Sequence, residues 1–373
     1  MMSVELKKFF AVALAALSAV SCGPKVHSIG QQTIQFVKSI LGDKESPEYM
    51  VLKSYDPMQH DAAIYVIGDQ SSCAFVSNEL KNSDDRDNID GVLGPDRLPD
   101  FAGETIAVLA DAANGSYDSL VISGKTEVLR ELTVRTMLKA VDTLCFLSPF
   151  DDVGLGHKSA AKMVVIASPA ASAYGYFDVD SLLRASSCRL PVVSPMSKAM
   201  EQIVVRDGMT VAVITSKERA DAGIYLEICG NAALKSGFTS VKCVVAAPSG
   251  KTSSLAEFLD FYIEEGNESP VDALLVDDMV IDSSEYEDEV GKIRSVMNAE
   301  YLKYSEFLSP DFRIVRSAPI IREECYRILR ERNLFTHKVA FPKEESYLNI
   351  RRNGISGIMS NIIIEYNSKY LSK

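Results

Sequence analysis

From residue 63 onward the chain repeats one rhythm. A short run of consecutive apolar residues, many of them β-branched, gives way to a longer stretch whose apolar positions fall three and four apart. The runs lie at 63–67, 105–109, 143–147, 163–167, 191–193, 210–214, 241–246, 273–276 and 313–315. Strands that are apolar at consecutive rather than alternating positions are covered on both faces, as in a parallel sheet. Between them, 127–141 sets Val128, Leu132, Met137 and Val141 toward one side, and 255–263 and 290–308 show helical spacing more clearly. Strand–helix alternation of this kind predicts an α/β fold of doubly wound parallel sheets. Nine strands exceed one ordinary domain, which predicts two lobes: 61–200 with 318–345, and 201–317.

Three stretches depart from the rhythm. Residues 82–100 are rich in Asp and carry Gly94-Pro95 and Leu98-Pro99. They read as a solvated surface loop or as a lid over a cleft. Residues 346–373 place Ile355, Ile358, Met359, Ile362 and Ile363 in an apolar cluster. This predicts a terminal element packed on a lobe, with a partner-docking segment as the alternative. At the other end, Lys7 and Lys8 precede an apolar run over 9–20 that only Ser18 interrupts. A run of about twelve residues is too short to cross a bilayer as a helix, which takes roughly twenty. A basic start, a short apolar run and small residues before a cut describe a secretory signal peptide over 1–21.

Cys22 follows the small residues Ala19-Val20-Ser21, a pattern that resembles a bacterial lipobox. The resemblance implies that Cys22 becomes a lipidated first residue whose acyl chains hold the fold on a membrane surface. The bland alternative is an ordinary signal peptide with an incidental Cys. No acidic residue follows closely in Gly23-Pro24-Lys25-Val26. By resemblance to known sorting rules, this favours an outer membrane, facing the periplasm. The amphipathic stretch over 34–41 and the polar 42–47 after it predict a helix and a loop, in a tether over 22–60 that holds the body off the membrane.

Composition narrows the function classes. The chain has 373 residues, a net charge of −12 and 47% hydrophobic residues. An acidic chain without a basic stripe argues against a nucleic-acid partner. Apart from Cys22, the cysteines are dispersed (Cys73, Cys145, Cys188, Cys229, Cys243, Cys325) and none lies in a CxxC pair. That is not a disulfide scaffold, although a single bridge stays open. With four histidines and no HExxH, HxH or Cys/His cluster, no metal or other cofactor is expected.

Ligands of open parallel sheets bind beyond the carboxyl ends of strands. The residues that follow the predicted strands are small hydroxyls, amides and carboxylates. They include 68–72, 111–117, 148–152, 168–175, 194–197, 215–218, 248–252 and 277–278. Such groups, with helix amino-terminal amides, hold carboxylates or sugar hydroxyls. The same residue types also simply cap the next helix.

Two pieces look like the type I periplasmic-binding-protein family. Val164-Val165-Ile166-Ala167-Ser168 is followed one helix later by Leu190-Pro191-Val192-Val193-Ser194-Pro195. Arg206-Asp207-Gly208 then leads into the strand at 210–214, and a helix ends at Ser236-Gly237-Phe238. The order is similar to the middle of branched-chain-amino-acid-type binding proteins and covers roughly residues 160–280. It implies a two-lobed, type I periplasmic-binding-protein-like fold with a ligand in the cleft. On matching positions, Ser168, Ser172 and Ser194 would face that cleft, Tyr174 would supply an aromatic, and Asp277 or Asp278 would meet a ligand amino group.

Enzyme signatures fail on inspection. Ser249-Gly250-Lys251-Thr252 would need a Gly where Val245 stands, and Gly124-Lys125-Thr126 one where Ser119 stands. A two-cysteine racemase chemistry also uses paired α/β lobes, but Cys145 falls within a strand and Cys188 precedes one. The leading expectation is therefore a non-enzymatic, lipid-anchored envelope protein. It would bind a small polar solute, amino-acid-like or sugar-like, and a transporter or another envelope protein would be its partner. An interaction or scaffold module on the same fold and an unrecognised α/β enzyme are the alternatives.

Overall fold

The computed structural model describes residues 32–365 apart from 89, 147–154, 249–253, 283, 296 and 352–360. The signal and lipidation motifs, residues 249–252, and Ile355, Ile358 and Met359 therefore lie outside the described residues.

Twelve strands are described: β1 (Ala63–Asp69), β2 (Thr105–Asp111), β3 (Leu144–Phe146), β4 (Leu155–His157), β5 (Ala161–Ile166), β6 (Val192–Val193), β7 (Thr210–Ile214), β8 (Lys242–Ala246), β9 (Val271–Val276), β10 (Leu308–Arg316), β11 (Lys343–Arg351) and β12 (Asn361–Glu365). They form two sheets, ordered β4-β3-β12-β11-β2-β1-β5-β6 and β10-β9-β7-β8. The second is parallel throughout, and in the first β11, β2, β1, β5 and β6 are parallel. The protein is thus an α/β fold with parallel sheets in two lobes. The central strands have the burial their sequences call for: β5 and β7 are buried at every position. Some covering helices start on side-chain caps, while others, such as Thr126–Val141 and Ile224–Lys235, have none. Ser254 and Glu257 form a reciprocal capping box that opens the helix Leu255–Glu264.

Between the sheets the chain passes after β6 and returns after β10. The second-lobe helix Ile224–Lys235 packs on the first-lobe helices Pro169–Tyr174 and Pro195–Ile203. Its Ile224, Tyr225 and Ile228 share one buried cluster with Val211 and Val213 of β7 and with the first-lobe core. A separate smaller core, including Phe258, Tyr262 and Leu274, fills the far side of the second sheet.

Three differences from the sequence pattern have physical causes. First, residues 346–351 belong to β11, inside the large sheet between β2 and β12, and not to a terminal packing element. Their charged neighbours Lys343, Glu344, Glu345 and Arg351 hide the strand, because only Tyr347 and Asn349 are buried along it. Second, the part of the expected tether over 32–54 is docked. The helices Gln35–Gly42 and Pro47–Ser54 bury Val37, Ile40, Tyr49 and Leu52. Asp178, fully buried, accepts from the Ile34 amide at 3.0 Å and pairs with Arg130 at 2.6 Å, and Arg130 also donates to the Gln32 carbonyl. Third, the loop 82–100 follows a helix and precedes β2, so it lies at the amino edge of the sheet. There Asp100 and Asp84 accept from loop amides, and the loop rims a cavity of about 400 Å³ with Tyr326, Phe335 and His337. It does not lie at the carboxyl edge, where a lid over the cleft would sit.

Candidate functional site

At the carboxyl ends of the central strands the two lobes face one another through polar side chains. In the first lobe β1 ends at Asp69, which caps the helix Gln70–Asn82 by accepting from the Ser72 amide at 3.0 Å and the Ser72 hydroxyl at 3.0 Å. Gly68 precedes it with φ +150, and a Cβ there would lie 3.0 Å from the Ser168 nitrogen. Only glycine lets the ends of β1 and β5 approach so closely. β2 ends at Asp111, 2% exposed, which accepts from Asn114, from the Tyr117 hydroxyl at 3.0 Å and from Asn349 at 3.0 Å. Lys139 donates to Asn349 Oδ1 at 2.8 Å, and burial draws its ammonium pKa down to about 8. This part of the edge is a satisfied, preorganised network.

The connection across the lobes is Arg219. It sits on the short helix Lys217–Asp221 that follows β7, with Ser216 capping it. Its Nη1 donates to Asp277 Oδ2 at 2.6 Å, within its own lobe. Its Nε reaches Asp118 Oδ2 and its Nη2 reaches the Ser72 hydroxyl, both at 3.4 Å and both in the first lobe. Thr215 donates to the same Asp277 oxygen at 2.7 Å. Beside this clasp, Glu218 accepts from the first-lobe hydroxyls of Ser116 and Ser119 at 3.1 and 2.9 Å. All the central members are buried: Asp277 and Thr215 completely, Ser72 at 1%, Arg219 at 4% and Asp118 at 9% exposed.

Two acceptors in this cluster are unused. Among the described residues, Asp118 Oδ1 and Asp277 Oδ1 are buried and accept no hydrogen bond. Buried carboxylate oxygens normally have partners, because leaving one without a donor costs roughly 1–3 kcal/mol or more. Burial raises the Asp118 carboxyl to about 6; Arg219 opposes this, while Asp69 and Glu218 add to it. Burial likewise raises Tyr225, whose hydroxyl stands beside Asp277.

Most residues singled out in the sequence take local partners. Ser168 is fully buried and caps the helix Pro169–Tyr174 through the Ala171 amide. Ser172 reaches back to the Ile166 carbonyl at 3.5 Å, and Ser194 bonds to Ser197 at 2.9 Å. Their hydroxyls serve as local bonds and caps rather than as one wall of a cleft. Tyr174 is half-buried, and burial with the Glu227 charge raises its pKa to about 12. Asp278 accepts from the Ala318 amide at 3.0 Å, at the start of the helix Ser317–Glu331, and so ties β9 to that helix. Asp277 alone of this set enters the clasp. Asp118, Arg219, Thr215, Ser72 and Tyr225 complete it. Cys145 is buried within β3, and Cys188 is half-buried ahead of β6.

No protein-family model matches the chain, and no curated protein matches it. Among solved structures it is similar to glutamate racemase isoform RacE1 from Bacillus anthracis, over 81% of this chain and 91% of that one, at 13% identity and a TM-score of 0.43. Glutamate racemase from Francisella tularensis, in complex with D-glutamate, aligns over 80% and 91% at 13% identity and a TM-score of 0.39. The Thermus thermophilus enzyme with β-chloro-D-alanine aligns over 79% and 90%, also at 13% and 0.39.

Proposed function

We propose that this protein is a lipid-anchored cell-envelope protein with a type I periplasmic-binding-protein-like fold that holds a small polar solute between its lobes. The observation that carries this reading is the convergence of Asp118 and Asp277, from opposite lobes, on a buried cluster with one unused carboxylate oxygen each. A solute rich in N–H or O–H groups, amino-acid-like or sugar-like, would supply the missing donors. The Asp111 network beside it is already satisfied and would hold one wall rigid. The anchor is Cys22, with an outer membrane as the site and a transporter or another envelope protein as the partner.

Two experiments test this. Mass spectrometry of protein purified without denaturation should find a small molecule held by the wild type and lost from Asp277→Asn. Losing one charged acceptor in a closed site weakens binding by about 1.5–3 kcal/mol, roughly ten- to a hundredfold. Equal occupancy in the variant, or a solute that binds elsewhere, overturns the site. For the anchor, Cys22→Ser should move the protein from the membrane fraction to the soluble one, because acylation needs that thiol. Unchanged membrane association removes the lipoprotein reading. The continuous core shared by the lobes favours one second reading, a rigid scaffold module. A chain that holds no solute under any purification would support it.

A further inference from the structure

We propose that the Arg219 side chain is a tethered stand-in for the solute: its guanidinium fills the subsite that a cationic group of the ligand takes, and the ligand binds by displacing it. This rests on the reading of the cleft as a solute site and adds the chemical class and the gate.

The acceptor inventory points this way. Around the guanidinium stand the carboxylates of Asp118 and Asp277 and the Ser72 hydroxyl, with Thr215 and Tyr225 beside Asp277. Asp69 and Glu218 add negative charge close to Asp118. A site this acidic disfavours a solute that presents an anion to it and favours an ammonium or guanidinium. Arg219 meets that demand incompletely. It grips Asp277 at 2.6 Å but reaches the opposite lobe only at 3.4 Å, and an oxygen on each carboxylate stays unused. A guanidinium has five donors in a planar fork, and a free cation can seat more of them than one held on a fixed stem. Its helix has only five residues and ends ahead of Gly223, whose φ of +66 turns the chain into the next helix. The helix itself bears on the first lobe through Glu218, so displacement of Arg219 would be felt at Ser116 and Ser119.

The test is chemical rescue with methylguanidinium as the probe. Arg219→Ala leaves two buried carboxylates without their cation and should melt below the wild type. Methylguanidinium at millimolar concentration should raise its melting temperature with the logarithm of concentration, as expected for a ligand of the native state alone. The wild type should respond far less, because its subsite is occupied. Urea and tetramethylammonium at the same concentration and ionic strength should rescue neither. Arg219→Gln, which keeps the stem, repeats the measurement should the alanine variant not fold. In the wild type, hydrogen exchange over 217–221 and 117–122 should accelerate when methylguanidinium is added. Equal responses of variant and wild type, or no rescue of either variant, overturn the stand-in. Rescue by a neutral polyol such as ribose, with none by methylguanidinium, leaves a solute site but overturns the cationic class. No response to any probe, together with no co-purified molecule, brings down the solute reading itself.

Discussion

Asp118 carries a carboxyl raised to about 6, from an ordinary 3.8, chiefly because it is buried. A carboxyl whose folded pKa exceeds its unfolded one binds its proton more tightly in the native state. The stability this provides is fully present below the unfolded pKa and is lost as pH rises through the folded one. A tenfold change in proton affinity is worth about 1.4 kcal/mol. Relative to Asp118→Asn, the wild type should therefore lose up to about 3 kcal/mol between about pH 4 and about 6.5. Urea melts of both proteins across that range check the sign. A wild type that gains on the variant as pH rises would place Asp118 in a stronger ion pair than the 3.4 Å contact to Arg219 indicates. Of the residues the sequence singled out as ligand-binding, Asp277 alone stands in the clasp. The polar segments after the second and sixth predicted strands, 111–117 and 215–218, stop one position short of Asp118 and Arg219. What the pattern did not carry is that each residue lies on a short helix turned toward the other lobe. Ser168, Ser172 and Ser194 misled for the opposite reason, since hydroxyls at strand ends also serve as caps and local bonds.

Elements built from continuous apolar runs could be read directly, and those with mixed faces could not. β1, β5, β7 and β9 are buried along nearly their whole length and are legible as strands. β11 is central in the sheet order, yet it opens on Lys343, Glu344 and Glu345 and buries only Tyr347 and Asn349, so its sequence lacks the continuous apolar run that marks the other central strands. In 32–54 the helix over 34–41 was legible but its docking was not, because the attachment is partly ionic. Asp178 is fully buried and satisfied by Arg130 and by the Ile34 amide, which belong to different elements. Breaking a buried pair by removing one partner leaves an uncompensated charge and costs about 3–5 kcal/mol. Asp178→Ala should lower stability by that amount in urea unfolding. It should also expose 32–54 to limited proteolysis before the rest of the chain. Cleavage that spreads evenly over the first lobe would show that the segment is held mainly by Val37, Ile40, Tyr49 and Leu52.

At the scale of the molecule, the expected two-lobe plan and the shared core make different demands. Two lobes joined only by crossing strands and a solvated cleft would unfold separately, because inter-domain interfaces are usually small and polar. Here the helix Ile224–Lys235 inserts Ile224, Tyr225, Ile228 and Cys229 into a cluster that runs through Ala170, Ala171, Met196 and Met200 of the first lobe. Above that apolar floor, Arg219 and Glu218 add the polar clasp. The sequence pattern gave each helix its apolar face but not the partner that face would meet, so this junction was not legible from it. Because the contact is apolar and continuous, the lobes should melt as one unit. Differential scanning calorimetry of residues 32–373 should show a single transition with equal calorimetric and van't Hoff enthalpies. Two resolved transitions would show that the shared cluster is too weak to couple the lobes. Met200→Asp, which puts an unpaired charge in that floor, should split the single transition into two. Arg219→Ala should leave it single at a lower temperature, since it removes the clasp and keeps the floor.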